Sequence, residues 1–393
     1  MRISTKPRVN NVLVPTLSSE LQLEWQGQLN DLVTDLVFAP NGTSWAASSA
    51  AGEVVWNAGG KEIVSLWASD SPMERLCQRI DAGLTIDSIA FSADSRWLAA
   101  AGQAGQLLIW NCDDPSRPPQ LVSKTSINKW IEHLAWHPTE ALLAIAYGAQ
   151  LQILDVVGET APIFWQFVSA KRRLLLGQTL RYRQRGASLE ENRSSIFDLA
   201  WHPDGKYLAV AGYQGVQIWK PWASEPPIYI AVATASIKLS WSGDGRYLAA
   251  GNLDRTVTII DWDHPSDPWL LQGCPGKIRQ LAWLKGTTTP CLAVASGTAI
   301  VLWQLTKDLL TWDGQCLEGH QGTVKALAPH PDVPIFGSGD DRGCLCLWSA
   351  DGEVLQVLTD DGDGLTALAW QPHREYLAAG TQTGSIGQWS IPA

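Results

Sequence analysis

The residues of this chain that could catalyse a reaction or bind a metal ion are scattered. Seven cysteines and seven histidines are spread over 393 residues. No two cysteines have the Cys-x-x-Cys spacing of a zinc site, and their odd number argues against a disulfide framework. Cys344 and Cys346 alternate within an apolar run, which places both side chains on one face of a strand. We interpret this pair as buried thiols and predict no metal site.

Three histidines recur at one point of a repeated sequence. His137, His202 and His330 each follow the same landmark in a different copy, so equivalent turns hold them too far apart to share a metal ion. We therefore predict structural roles for them. Single acids also occupy turns, where aspartate commonly caps the backbone: Asp94, Asp204, Asp244 and Asp351. The sequence has no Ser/His/Asp order, His-Glu-x-x-His motif or phosphate-binding loop, and it predicts neither an enzyme nor a cofactor.

These side chains belong to a sequence that is repeated eight times. Each copy has an apolar run that ends at an aromatic residue or a proline, then a turn, a run of small residues, and a second apolar run. The closing residues are Trp56, Trp110, Leu154, Trp219, Ile260, Trp303, Trp348 and Trp389. They lie 41 to 45 residues apart, except for two longer intervals of 54 and 65. A repeat of this length is typical of four-stranded propeller blades.

Each copy predicts a β-hairpin followed by two more strands. The run at 237–241 has the β-branched and aromatic pattern of a strand, and Ser-Gly-Asp-Gly at 242–245 is a turn sequence. Small residues such as those at 247–251 allow neighbouring blades to approach closely. Outer strands are predicted at 62–67, 160–167, 228–232 and 353–358. The eighth copy lacks one, and we predict that residues 21–25 supply it and close the ring.

The pattern resembles the WD-repeat family of β-propellers. Gly-His at 319–320 and the run at 252–261 match the two signatures of that family, and the resemblance extends from about residue 21 to 389. It implies an all-β fold with one propeller domain at 20–393 after an N-terminal tail at 1–19. We expect eight four-stranded blades with the ring closed by the N-terminal strand. The alternative is seven blades, the usual family number, with the third copy collapsed.

The resemblance also implies a buried network, which we do not expect in this chain. In the family, a histidine before the first strand, an aspartate before the third strand and the closing tryptophan can be hydrogen-bonded within one blade. Here His320 lies in the seventh copy, whereas the best-placed aspartate, Asp254, lies in the fifth. We therefore expect no copy to hold the complete network, and we expect tryptophan and aliphatic packing to hold the blades together.

Charge and hydropathy narrow the class of protein. The net charge of −10 argues against a protein whose whole surface binds nucleic acid or anionic membranes. The N-terminus lacks the apolar segment of a signal peptide, and no apolar run approaches the length of a membrane span. We expect a soluble cytoplasmic protein.

Two insertions interrupt the repeat, at about 70–85 and 169–194. Both connect an outer strand to the next inner strand, so we expect them on the same face of the ring. Residues 169–193 have a net charge of +5, opposite in sign to the rest of the chain. The candidate partner-binding residues in this segment are Lys171, Arg172, Arg173, Arg181, Tyr182, Arg183 and Arg185.

These features predict a non-catalytic scaffold that binds protein partners through one face of the propeller. We expect the basic segment to bind an acidic protein. A solvated loop without a partner is the alternative for that segment. A second alternative is nucleic acid, because residues 181–185 interleave basic and aromatic side chains as single-strand binders do. A propeller enzyme is the third. Tryptophan-rich eight-bladed propellers include quinone-dependent dehydrogenases, but those are exported, longer, and carry an adjacent cysteine pair.

Overall fold

We describe the protein from a computed structural model. The residues it describes are 21–59, 62–67, 85–114, 116–157, 163–166, 195–223, 227–308, 310–359, 362–374 and 376–390. They form β-strands joined by turns and loops, and this part of the chain contains no helix that could cross a membrane.

The strands of the first half follow the copies of the repeat. The N-terminal strand is β1 (Gln22–Gln28). The first copy forms β2 (Val33–Phe38), β3 (Trp45–Ser49), β4 (Val54–Asn57) and β5 (Val64–Trp67). The second forms β6 (Ile86–Phe91), β7 (Trp97–Gly102), β8 (Gln106–Asn111) and β9 (Gln120–Ser126). The third forms β10 (His133–Trp136), β11 (Leu142–Tyr147), β12 (Gln150–Asp155) and β13 (Ile163–Gln166).

The second half continues in the same order. The fourth and fifth copies contain β14 (Ile196–Trp201), β15 (Leu208–Trp219), β16 (Ile228–Trp241), β17 (Tyr247–Asn252), β18 (Val257–Asp261) and β19 (Trp269–Leu271). The sixth forms β20 (Ile278–Leu284), β21 (Cys291–Ser296), β22 (Ala299–Leu305) and β23 (Trp312–Leu317). The seventh forms β24 (Val324–Pro329), β25 (Ile335–Asp340), β26 (Cys344–Ser349) and β27 (Val354–Thr359), and the eighth forms β28 (Leu365–Trp370), β29 (Tyr376–Thr381) and β30 (Ser385–Ser390).

These strands form antiparallel sheets in the order that the repeat predicts. In the described residues there are six four-stranded sheets and one six-stranded sheet. The six-stranded sheet holds the fourth and fifth copies, because β15 and β16 each change pairing partner along their length. The third copy forms a complete sheet, β10–β11–β12–β13, so it is not collapsed. All four predicted outer strands are present in whole or in part, as β5, β13, the start of β16, and β27.

The sheets close into a ring. The inner strands β2, β6, β10, β14, β16, β20, β24 and β28 contact one another in this order, and β28 contacts β2. The N-terminal strand β1 pairs antiparallel with β30, from Gln22 opposite Ser390 to Gln28 opposite Ser385, which confirms the predicted closure. The β-propeller fold is thereby confirmed. Eight blades stays a prediction, because two copies share one sheet.

Tryptophans at the ends of the inner strands join consecutive copies. Each of these indole N–H groups donates a hydrogen bond to a carbonyl of the preceding inner strand. The pairs are Trp136 to Ala90, Trp201 to Ala135, Trp241 to Ala200, Trp283 to Ser240 and Trp370 to Ala328, at 2.9 to 3.2 Å. Phe38, Phe91 and Pro329 occupy the same landmark and have no side-chain donor. The tryptophans thus serve as hydrogen-bonding links as well as apolar packing residues.

His137 and His202 each link their copy to the next, and His330 Nδ1 accepts the backbone N–H of Asp332 in its own turn at 3.1 Å, which confirms the predicted structural roles. His202 accepts the backbone N–H of Asp204 at Nδ1, and its Nε2 donates to the carbonyl of Gly245 in the following turn, 2.9 Å away. His137 makes the equivalent bond to Gly205 at 2.8 Å. Glycine is required at Gly245, because φ is +75° there and a Cβ atom would lie 2.6 Å from His202 Nε2.

Three of the predicted turn acids cap their own turns. Asp94, Asp204 and Asp244 accept the backbone N–H groups of Arg96, Lys206 and Arg246, at 2.8 to 3.1 Å.

Candidate interaction face

One face of the ring is built by two kinds of loop, and we call it the insertion face. It consists of the turns between second and third strands and of the connections that lead into each inner strand. In five places the turn donates a backbone hydrogen bond to the neighbouring connection: Ala50 to Leu32, Gln103 to Thr85, Leu253 to Ala235, Asp341 to Thr323 and Gln382 to Gly364, at 2.8 to 3.0 Å. The same contact therefore fixes both kinds of loop around the ring.

Both predicted insertions end on this face. Thr85 is the last residue of the first insertion, and its hydroxyl donates to the carbonyl of Ala50 at 3.3 Å. Ile196 follows the second, and its N–H donates to the carbonyl of Gly148 at 2.8 Å. The candidate residues Lys171, Arg172, Arg173, Arg181, Tyr182, Arg183 and Arg185 lie outside the described residues, so their role stays a prediction.

An exposed tryptophan lies on the connection that comes between the two insertions in the chain. Trp130 belongs to the connection from β9 to β10, the one that separates them along the chain, and 49% of its surface is exposed. Its indole N–H donates to Asp87 Oδ2 at 2.7 Å, and the N–H of the next residue, Ile131, donates to Gly102 at 3.1 Å. The indole side chain of Trp130 is therefore held in place while one side of it stays exposed, as in the aromatic anchors of protein interfaces. Trp130 was not among the predicted site residues, although its position off the repeat landmarks is a sequence signal that could have identified it.

Two further exposed side chains continue around the face. Tyr213 lies at the turn within β15, and Leu253 lies at the turn between β17 and β18; they are 50% and 53% exposed. With Trp130 they lie on loops of the third, fourth and fifth copies. Exposed large apolar side chains on one face mark contact surfaces more often than isolated ones do.

Carboxylates surround the anchor tryptophan. Burial raises the pKa of Asp87, which Glu132 raises further and which the hydrogen bond from Trp130 opposes. Burial also raises the pKa of Glu132, whose carboxylate accepts the N–H of Gly148 at 3.1 Å. Lys129 is engaged with Gln150 at 3.2 Å. Two carboxyl groups and the ammonium group of Lys129 therefore surround Trp130, whereas the predicted cluster of basic residues lies on the insertion that follows it in the chain.

Polar side chains at one position of the inner strands face the central channel. Asp198 lies between His133 Nδ1 at 3.7 Å and Lys238 Nζ at 3.9 Å, and its Oδ2 accepts the N–H of Leu239 at 2.8 Å. Asp35, at the equivalent position of β2, accepts the N–H of Ile89 at 3.1 Å. Each carboxylate thus bonds the next inner strand. We assign these groups to ring cohesion, because their oxygens are already engaged by backbone donors.

The seventh copy contains a complete buried network, so the expectation that no copy holds one is wrong. His320 Nδ1 donates to Asp340 Oδ2 at 3.1 Å, and its Nε2 accepts the hydroxyl of Ser338 at 2.6 Å. Trp348 Nε1 donates to the same hydroxyl oxygen at 2.7 Å. Asp340 ends β25 and was passed over for Asp254, which caps its own turn by accepting the hydroxyl of Thr256 at 2.7 Å. The run Ser-Gly-Asp at 338–340, together with Gly-His at 319–320, was the signal that could have identified it.

The charges of this network are set by burial and by backbone donors. Burial lowers the pKa of His320, and Asp340 opposes that shift. Burial alone would raise the pKa of Asp340, but the N–H groups of Cys344, Arg342 and Gly322 outweigh it and hold the pKa below its ordinary value. The network therefore joins a neutral imidazole to a carboxylate.

The chain matches the family model described as WD domain, G-beta repeat. The matched residues are 78–111, 183–220, 232–261, 313–349 and 352–390. The first two matches begin inside the segments predicted as insertions. A solved structure, the Cps50 (Swd1) β-propeller domain of Myceliophteria thermophila, aligns with a TM-score of 0.61 and 14% identity, over 95% of this chain and 100% of that chain. That alignment supports the fold.

Several curated proteins are similar over part of the chain. Telomerase Cajal body protein 1 of Rattus norvegicus is 27% identical over 50% of this chain and 41% of its own length. Ribosome biogenesis protein BOP1 of Homo sapiens is 23% identical over 68% of this chain and 38% of its own. Small ribosomal subunit protein RACK1z of Oryza sativa subsp. japonica is 41% identical over 19% and 22%. The chain spans less than half the length of each of these relatives.

Proposed function

Because this chain is a β-propeller of the WD-repeat family, we propose that it is a non-catalytic scaffold that binds protein partners through the insertion face. The observation that carries the proposal is Trp130, which is half exposed, is fixed by Asp87, and lies on the connection that separates the two insertions along the chain. A rigid aromatic side chain loses little conformational freedom on binding, so it contributes more affinity than a mobile one.

The polar groups of the described residues favour binding over catalysis. The turn histidines and the channel carboxylates are already bonded to backbone groups that hold neighbouring copies together. A general base needs an accessible lone pair within reach of a substrate. The fold therefore uses its titratable side chains to stabilise the ring, and the loops carry recognition.

We propose an acidic protein as the partner of the basic insertion, through Lys171, Arg172, Arg173, Arg181, Tyr182, Arg183 and Arg185. Nucleic acid is the second candidate, favoured by the +5 charge of residues 169–193 and by similarity to proteins whose names refer to telomerase and the ribosome. We propose the cytoplasm as the compartment, since the described cysteines, Cys112, Cys274, Cys291, Cys316, Cys344 and Cys346, are free thiols.

Affinity capture with matched variants tests the proposal. The full chain, Trp130→Ala and Trp222→Ala are immobilised and exposed to native lysate, and retained proteins are quantified by mass spectrometry. Trp222 is a suitable control because it is 58% exposed and follows β15 at the opposite face of the ring. We expect Trp130→Ala to lose partners that Trp222→Ala keeps. Identical retention by both variants, or retention of no protein together with turnover of a small molecule, would contradict the proposal.

A second variant separates the partner classes. Replacing Arg172, Arg173, Arg181, Arg183 and Arg185 with serine should weaken capture and leave the melting temperature nearly unchanged, because exposed charges contribute little to stability. Capture by the wild type should fall as salt rises. Preferential binding of single-stranded DNA at matched salt would favour nucleic acid over an acidic protein. Early melting with unchanged capture would show that the insertion is structural.

A further inference from the structure

Two cysteines and a histidine converge beside the network of the seventh copy. Cys344 and Cys346 alternate on β26, and their sulfur atoms lie 3.5 Å apart. His320 belongs to the connection from β23 to β24, yet its ring reaches the same place. One ligand atom of each residue lies within 4.8 Å of those of the other two. His320 and Cys346 are buried, and Cys344 is partly buried.

The hydrogen bonds of His320 hold it in the form that binds a metal ion. A carboxylate only accepts hydrogen bonds, so the bond to Asp340 places the proton on Nδ1 and leaves a lone pair on Nε2. Asp340 is itself fixed by the N–H groups of Gly322, Arg342 and Cys344 at 2.9 to 3.0 Å. A carboxylate that orients a histidine through its other ring nitrogen is the usual outer shell of a metal site.

The register of the sheet places the residue that bonds Nε2 next to the cysteines. Ser338, whose hydroxyl lies 2.6 Å from His320 Nε2, is the direct cross-strand partner of Cys346. Directly paired residues have side chains on the same face of a sheet. Ser338, which bonds His320 Nε2, therefore shares a face of the sheet with Cys346, and the histidine ring and the two sulfur atoms lie close together beside β26.

We propose that Cys344 Sγ, Cys346 Sγ and His320 Nε2 form a binding site for a thiophilic d10 cation, Zn²⁺ or Cu⁺. Two thiolates about 2.3 Å from zinc lie roughly 3.8 Å apart at the tetrahedral angle, close to the 3.5 Å separation of these sulfur atoms. Cu⁺ also selects thiolate ligands. The three protein ligands leave the fourth tetrahedral position for water.

The proton and charge balance favours Zn²⁺. Each thiol releases its proton to solvent as its sulfur–metal bond forms, and the Nδ1 proton stays on the bond to Asp340. The Ser338 hydroxyl donates to the same Nε2 lone pair, so it has to rotate away from Nε2 as the cation binds there. Two thiolates cancel the charge of Zn²⁺, so the buried group keeps only the negative charge of Asp340, whereas with Cu⁺ it would hold two negative charges.

Metal titration of the full chain tests the site. The purified, metal-stripped protein is titrated with Zn²⁺ against a chromophoric chelator and with Cu⁺ against a Cu⁺-specific chelator, and Co²⁺ serves as a spectroscopic substitute for Zn²⁺. We expect one cation per chain and a thiolate-to-cobalt charge-transfer band. The relative affinities for Zn²⁺ and Cu⁺ then identify the cation.

Matched cysteine variants locate the binding. Cys344→Ser with Cys346→Ser should weaken uptake by more than the roughly 10- to 100-fold that loss of an outer-shell group costs. Cys112→Ser with Cys291→Ser is the control, because it also changes one partly buried and one buried thiol. Cys344→Ser alone, at the less buried position, should weaken uptake in the same direction if the double variant fails to fold. Absence of stoichiometric uptake of either cation, or equal losses in the two double variants, would overturn the proposal.

Discussion

Replacing the channel carboxylate Asp35 with asparagine should change stability in a pH-dependent way. Asp35 lies on β2, where its Oδ1 accepts the N–H of Leu36 at 2.9 Å and its Oδ2 accepts the N–H of Ile89 in the next copy at 3.1 Å. Burial within the ring raises its pKa from 3.8 to about 6, against the effect of these two bonds. The folded protein therefore holds the Asp35 proton more tightly than the unfolded chain does.

The difference between these pKa values sets the magnitude. At 1.36 kcal/mol for each pKa unit, the ionised Asp35 side chain destabilises the folded state by about 3 kcal/mol above pH 6. This penalty declines as the pH falls through about 6 and vanishes below about 4, where both states are protonated. Asparagine does not ionise, but its amide can accept only one of the two N–H groups, which costs about 1 kcal/mol. Asp35→Asn should therefore stabilise the protein by about 2 kcal/mol near pH 7.5 and destabilise it by about 1 kcal/mol near pH 4.

Urea unfolding of the wild type and Asp35→Asn across this pH range measures the difference directly. The comparison cancels the titration of all other groups, including His320 and Asp340. Asp198→Asn is the matched control: it alters the equivalent position of β14, where Lys238 and His133 flank the carboxylate, and it should destabilise the protein at neutral pH. Destabilisation by Asp35→Asn near pH 7.5, or a difference from the wild type that does not vary with pH, would refute the reasoning.

Three other changes test the links that close and connect the ring. Deleting residues 1–28 removes β1 and exposes the edge of β30, which should lower the free energy of unfolding by on the order of several kcal/mol. Deleting residues 1–20 should leave the melting temperature nearly unchanged. Equal melting temperatures of the two truncations would contradict the closure of the ring by β1. In urea unfolding, Gly245→Ala should lower the free energy of unfolding by about 2–3 kcal/mol and Gly148→Ala by about 1 kcal/mol. Both glycines have a positive φ, but only at Gly245 would the added methyl group contact a histidine. Equal losses in the two variants would argue against that contact. In the same assay, Trp241→Phe should lower the free energy of unfolding by about 1–3 kcal/mol, because it leaves the Ala200 carbonyl unpaired. The exposed control Trp222→Phe should lower it by less than about 0.5 kcal/mol. An unchanged stability of Trp241→Phe would refute the role of the indole hydrogen bond.

The strands and their order could be predicted from the sequence because their causes are local and repeated. Turn residues at 242–245 and small residues at 247–251 act over a few positions, and eight copies in register reinforce one another. The N-terminal closing strand followed from an unpaired edge, which a propeller does not leave open. The structural role of His202 followed from its place in the repeat.

The candidate site was predictable in part. The repeat order placed both insertions on one face, and the described ends at Thr85 and Ile196 lie there. The anchoring of Trp130 was not predictable, because its partner Asp87 is 43 residues away in another copy. The buried network of the seventh copy was also not predicted from the repeat. Its members Ser338 and Asp340 bond His320, which lies 18 and 20 residues earlier in the chain.

The sequence by itself determined the propeller fold and the pairing of strands within each copy. Only the tertiary structure decided which side chains from different copies meet. Asp198 lies beside His133 and Lys238 because inner strands of three consecutive copies converge on one channel. His320 meets Cys344 and Cys346 because its connection folds back onto β26. A hydrogen bond or a metal–ligand bond requires its atoms to lie within a few ångströms of each other. The sequence does not specify such distances between side chains of different copies, because only the closed ring brings those side chains together.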